Sequence, residues 1–174
     1  MEVVKDFYKT ARDYMALVET EPLTEDSVCD YELMLLDLYR YGLLLPWCDA
    51  DDQSFHQEML QSNRKYIEDH KRKIEKGFDS SILHYEVPVE YCQKFNPFDS
   101  NSDDYFYINI DLMEIYEDIK EGVQMYENNL VNEALWHWGF GCEYHWGIHL
   151  VSALKPLHWI YNGNYEEKPE GRKG

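Results

Sequence analysis

Two histidines one helical turn apart, His145 and His149, are the residues of this chain best placed to do chemistry. On a helix the H-x-x-x-H spacing puts both imidazoles on one face, as a shared metal ion requires. The residues between them are Trp146, Gly147 and Ile148, so the glutamate of H-E-x-x-H, the general base of metalloproteases, is missing. Glu143 does not replace it, because at 100° per residue it lies roughly 120–160° away from the pair. A further ligand must therefore come from another segment. The preceding amphipathic stretch offers Asp111 and Asp118, which project the same way two turns apart, with Glu114 further round. Histidines facing carboxylates on a neighbouring helix are a recurrent way of holding zinc or iron in a bundle. His145, His149, Asp111, Asp118 and Glu114 are thus the expected ligands of a divalent transition metal, with hydrolysis as the chemistry it would serve. The competing reading makes both histidines core-edge residues hydrogen-bonded to Tyr or Asp, and the acids a solvated face.

Other chemistry finds less support. There is no G-x-S-x-G nucleophile motif and no glycine-rich phosphate loop. Ser152 falls near His149 on the helical wheel, a routine neighbourhood, and Cys142 reads as core. Trp136, Trp138 and the His145-Trp146 pair suggest an aromatic pocket for a small ligand, with Trp138 and Tyr116 as its expected contacts. Aromatic residues at helical spacing are, however, more often core.

The elements that must position these residues are helical. Glu2 to Glu21 carries Phe7, Ala11, Tyr14 and Val18 at three- and four-residue steps, and Pro22 closes it. A second helix, capped by Thr24 and ending at Pro46, contains ELMLLDLYRYGLLL, apolar nearly all round and so expected to be central. A third, from about Asp51 to Lys76, has acids at its start, bases in its last turns and Gly77 as a stop. Phe78 to Asp103 has no helical period, but Phe78, Tyr85, Tyr91, Phe95 and Phe98 suggest a connector that packs over the core. The fourth helix, Asp104 to Glu127, has a stripe of Ile108, Leu112, Ile115, Tyr116, Ile119, Val123 and Tyr126, and is broken by Asn128 and Asn129.

The fifth, Leu130 to Tyr161, holds both histidines and reads as one central helix notched by Gly139, Gly141 and Gly147. Each glycine costs about 1 kcal/mol relative to Ala in a helix interior, and Pro156 should kink or end the helix near Ser152. Its wheel puts Glu133, His137, Tyr144 and Lys155 on a wet stripe. The expectation is an all-α, single-domain bundle of about five helices over residues 1–162, with a long aromatic-rich connector before the fourth and a flexible tail at 163–174.

Composition narrows the function classes. The formal net charge is −18, with 34 acids against 16 bases. Binding to nucleic acid or to anionic lipid needs Lys/Arg neutralisation and is disfavoured; a basic protein partner would be attracted. No run reaches the ~18 apolar residues of a membrane span, and the N-terminus is not a signal peptide, which together suggest a cytoplasmic protein. Cys29, Cys48, Cys92 and Cys142 lie far apart, as buried reduced thiols rather than a zinc ribbon or disulfide framework.

From Asn96 onward the chain resembles a bacterial family known as a domain of unknown function, DUF5063. The similarity rests on NPFD, on Asp111, Leu112, Ile115, Tyr116, Asp118, Lys120 and Gly122, and on Trp136, Trp138, His145, Trp146, Gly147 and His149. Glu114 stands where an Asp is usual, and the first three helices match loosely. The resemblance implies a compact helical fold of bacterial origin, and that the acids of the fourth helix belong with the histidines of the fifth. Two functions are therefore expected. One is a non-catalytic binding or interaction module, acting through its acidic surface and abundant Tyr. The alternative to it is a metal site, with hydrolysis as its chemistry, built on His145 and His149 with the fourth-helix carboxylates.

Overall fold

The computed structural model describes residues 2–21, 23–24, 26–49 and 108–163, and these are all-α. They form α1 (Glu2–Thr20), α2 (Val28–Gly42), α3 (Ile108–Glu127), α4 (Val131–Tyr144) and α5 (Trp146–Gly163). The expected helix over 51–76, the connector that follows it and the tail beyond 163 lie outside the described residues. No described helix is long and apolar enough to cross a membrane.

The apolar spacing of α1 delivers its buried face directly: Val4, Phe7, Ala11, Tyr14 and Val18 all point inward. In α2 the buried residues are Val28, Tyr31, Leu35, Leu38 and Gly42, while Leu33 and Leu36 stay exposed. The sequence alone overstated this helix in two ways. It is one-sided rather than apolar all round, and it ends at Gly42, leaving Leu43 and Leu44 in an exposed turn. Thr24 and Ser27 precede it as a reciprocal pair, each backbone N–H donating to the other's hydroxyl at 2.9 and 3.3 Å.

The central element is α3, which packs against α1, α4 and α5, while α2 packs against α1 and α5. Tyrosine tips tie the layers together. Tyr14 donates to the Leu112 carbonyl at 2.8 Å and Tyr31 to the Glu21 carbonyl at 2.7 Å. The link from α3 to α4 is a tight turn in which Asn129 adopts φ 62°, a left-handed conformation that Asn tolerates better than most residues. Close packing follows from Gly122. A Cβ there would stand 2.0 Å from the Trp138 indole nitrogen, which donates to the Ile119 carbonyl at 3.3 Å.

The stretch Leu130–Tyr161 is two helices, not one. The backbone breaks at His145, with φ −140° and ψ −90°. The reason is visible in Trp146, whose ring turns back into the core, donates to the Trp138 carbonyl at 3.0 Å and lies over Gly141 and Gly42. Gly147 makes the corner possible, since a Cβ there would fall 1.9 Å from the Cys142 carbonyl oxygen. Pro156, by contrast, does not end α5, which continues to Gly163. One hydrogen bond is lost to proline, but Leu150, Ala153, Leu157 and Ile160 bury the helix on both sides of it. Among the described cysteines only Cys142 is buried; Cys29 and Cys48 are half-buried, and all three are free thiols.

Candidate metal centre

Three acids on α3, His145 at the α4–α5 break and His149 in the first turn of α5 meet at one place. Asp111, Glu114 and Asp118 recur at steps of three and four, so a straight helix carries them on one stripe. His145 and His149 span the α4–α5 break, and their rings meet edge to face with centroids 5.1 Å apart. Nδ1 of His149 donates to Asp111 Oδ1 at 2.8 Å, and Nδ1 of His145 donates to Asp118 Oδ2 at 2.7 Å. Each imidazole thus has its own aspartate on its inner nitrogen. Glu114 Oε2 then lies 3.9 Å from Nε2 of His145. One donor atom from each of Glu114, His145 and His149 falls within a common 4.8 Å.

Two atoms bound to one ion at about 2.1 Å lie no more than ~4.2 Å apart, so the Glu114–His145 spacing is compatible with a shared ligand shell. The roles differ from those the sequence suggests. All five residues come together, but Asp111 and Asp118 face imidazole Nδ1 atoms, and Glu114 is the carboxylate of the triplet. A histidine ligand usually has its second nitrogen held by a carboxylate or carbonyl, which sets its tautomer and orientation.

The electrostatics follow from this packing. Burial raises the Asp111 carboxyl above the ordinary value, more than its contact with His149 lowers it. For His145 burial works against the charged form, but the hydrogen bond and charge of Asp118, with Glu114 and Glu117 behind, outweigh it and raise the imidazole. Gly141 contributes space: a Cβ there would press on Trp146 at 2.5 Å and approach Asp118 Oδ2 at 3.3 Å.

Other expected residues are placed differently. Trp138 and Tyr116 are fully buried and line no solvent-facing site. Trp138 packs on Phe7 at 4.8 Å between ring centroids. Tyr116 is directed at α1, donating to Glu19 and accepting from Lys120 at 2.6 Å. That lysine is 4% exposed, and burial lowers its ammonium despite the pull of Glu19. His137 was expected on a wet stripe but is turned inward, donating to the Asp118 carbonyl at 3.1 Å with Glu121 at 3.7 Å. A helical wheel cannot say which neighbour covers a face, and α3 covers this one. Glu143 is outside the cluster, across the break at His145, and lines a separate cleft with Trp47 and Trp136.

Comparison with known proteins places the fold. The model of DUF5063, a domain of unknown function, matches residues 1–162, so the match extends through the N-terminal helices and not the C-terminal half alone. A crystal structure of protein BF1032 from Bacteroides fragilis is similar, with 18% identity, a TM-score of 0.64, and coverage of 92% of this chain and 96% of that one. No curated protein matches.

Proposed function

The chain belongs to the DUF5063 family, and we propose that it binds a divalent transition metal, zinc or iron, through Glu114, His145 and His149. The supporting observation is the orientation of the histidines: each Nδ1 is held by its own aspartate, and the outer nitrogen of His145 is turned towards a third carboxylate. Asp111 and Asp118 are positioning residues in this reading. Three protein ligands leave a coordination position for water or substrate, the arrangement of hydrolytic metal sites. The site lies at the surface, with His145 48% exposed, so a substrate has access.

Metal analysis of untagged protein exposed to zinc and then dialysed tests the reading. One equivalent should be retained by the parent and lost in His145→Ala and in His149→Ala. Full retention by the double variant would overturn it.

A second reading, an interaction module, draws on a different face. Trp136, Phe140 and Tyr144 form a ladder along α4 with centroids 5.1 and 4.9 Å apart, and Trp47, Phe140 and Tyr144 are exposed. An acidic chain with an aromatic ladder suits a basic partner.

A further inference from the structure

Gly139 is the glycine of α4 that packing does not explain. In Gly122, Gly141 and Gly147 a Cβ would collide with an indole or a carbonyl; at Gly139 it would meet nothing within 4 Å among the described residues. A glycine inside a helix weakens it by about 1 kcal/mol relative to Ala, and here no described neighbour claims the space. What lies over Gly139 is a cleft of about 260 Å³ between the end of α2 and the outer side of α4.

Two indoles, Trp47 and Trp136, line this cleft, Trp136 with its ring stacked on Phe140, and Glu143 is the only charged residue among the described residues that form it. Trp47 is 69% exposed, an uncommon state for the largest apolar side chain. Cys142 also lines the cleft, but burial and Glu143 push its thiol up to about 11, so it adds no charge at neutral pH. Aromatic faces attract a cation through their negative π surface, and a carboxylate at the rim neutralises it. The net charge of −18 favours the same sign of ligand.

We propose that the Gly139 cleft is a binding site for an organic cation of the quaternary-ammonium class, held against Trp47 and Trp136 with Glu143 as its counter-charge. Gly139 keeps the floor of the cleft bare so that the methyl groups reach the helix backbone. The site is separate from the histidine cluster and does not depend on a metal.

Choline and its neutral isostere 3,3-dimethyl-1-butanol are the probes, titrated against the full chain at constant ionic strength with indole NMR shifts as readout. Saturable shifts with choline, and binding at least about tenfold weaker for the neutral compound, are expected. Trp47→Ala and Glu143→Gln should each weaken choline by a comparable factor, whereas the His145→Ala, His149→Ala double variant should bind it normally. Gly139→Ala is the sharpest variant: it should raise the melting temperature by roughly 2–4 °C while weakening choline. Equal binding of the two probes, no saturable shift, or a stabilised Gly139→Ala that binds choline as well as the parent would each overturn the proposal.

Discussion

His158 and His149 make the same first contact and differ in everything around it. Nδ1 of His158 donates to Glu32 at 2.7 Å, and Nδ1 of His149 to Asp111 at 2.8 Å. Around His158 the remaining contact is the Asn162 amide from the same helix, and the side chain is largely exposed. Around His149 stand His145, with its own aspartate, and Glu114. A histidine–carboxylate pair by itself gathers no further ligand atoms. Convergence of a second imidazole and a further carboxylate on one point separates the two regions, and that convergence depends on the break at His145.

The comparison can be broken at its anchor first. Trp146 is fully buried and holds the corner between α4 and α5. Trp146→Ala should destabilise the fold by about 3–5 kcal/mol, read by urea denaturation, and should abolish metal retention while leaving the His158–Glu32 pair available. A variant that retains metal with unchanged affinity would show that the corner does not build the site.

At the next level, His149→Ala should lower zinc affinity about a hundredfold or more, and His158→Ala should leave it unchanged within about twofold, both read by competition with a chromophoric chelator. Equal losses would remove the distinction between the regions. Asp118→Asn and Asp111→Asn should weaken binding about 10- to 100-fold, the usual effect of removing a residue that orients a ligand, with Glu32→Gln as the matched control.

The smallest effect concerns pH in the metal-free protein. The imidazole of His145 has a folded-state pKa raised above its unfolded value of about 6.5. Its contribution to stability is fully present below that unfolded value and is lost as pH rises through the raised folded one. Asp118→Asn should bring the His145 titration down in NMR and flatten the loss of stability as pH rises above about 6.5. The stability change should be slight, because the ring is half exposed and solvent screens the pair. An unchanged titration in Asp118→Asn would contradict the assigned cause.

Much of this was legible because helical period is a local property. The steps Phe7, Ala11, Tyr14, Val18 predict the buried face of α1, and Asn128-Asn129 predict the end of α3. The same arithmetic puts Asp111 and Asp118 on one side of their helix and His145 and His149 on one side of theirs. Glu143 does lie outside the cluster, but the angle that excludes it is taken through the break at His145, where one helical wheel no longer applies. The arithmetic fails where a neighbour decides: His137 faces α3 rather than water, and Trp138 and Tyr116 fill the core rather than a pocket. Glu114 was readable only as lying further round, since the wheel does not say which acid meets Nε2 and which meets Nδ1. The cleft over Gly139 has Trp47 and Glu143 in one lining across a long sequence separation, and no periodic signal links them.

What the sequence by itself determined is the helical class, the faces of α1 and α3, and the pairing of acids with histidines by type. These depend on residues a few positions apart, whose relative angles hold in any α-helix. The tertiary structure alone decided the break at His145, because the chain turns there so that Trp146, the first residue of α5, fills space beside Gly42 and Gly141. That space is made by α2 and α4 together. The same break turns His145 so that Asp118 takes its inner nitrogen and Glu114 faces the outer one.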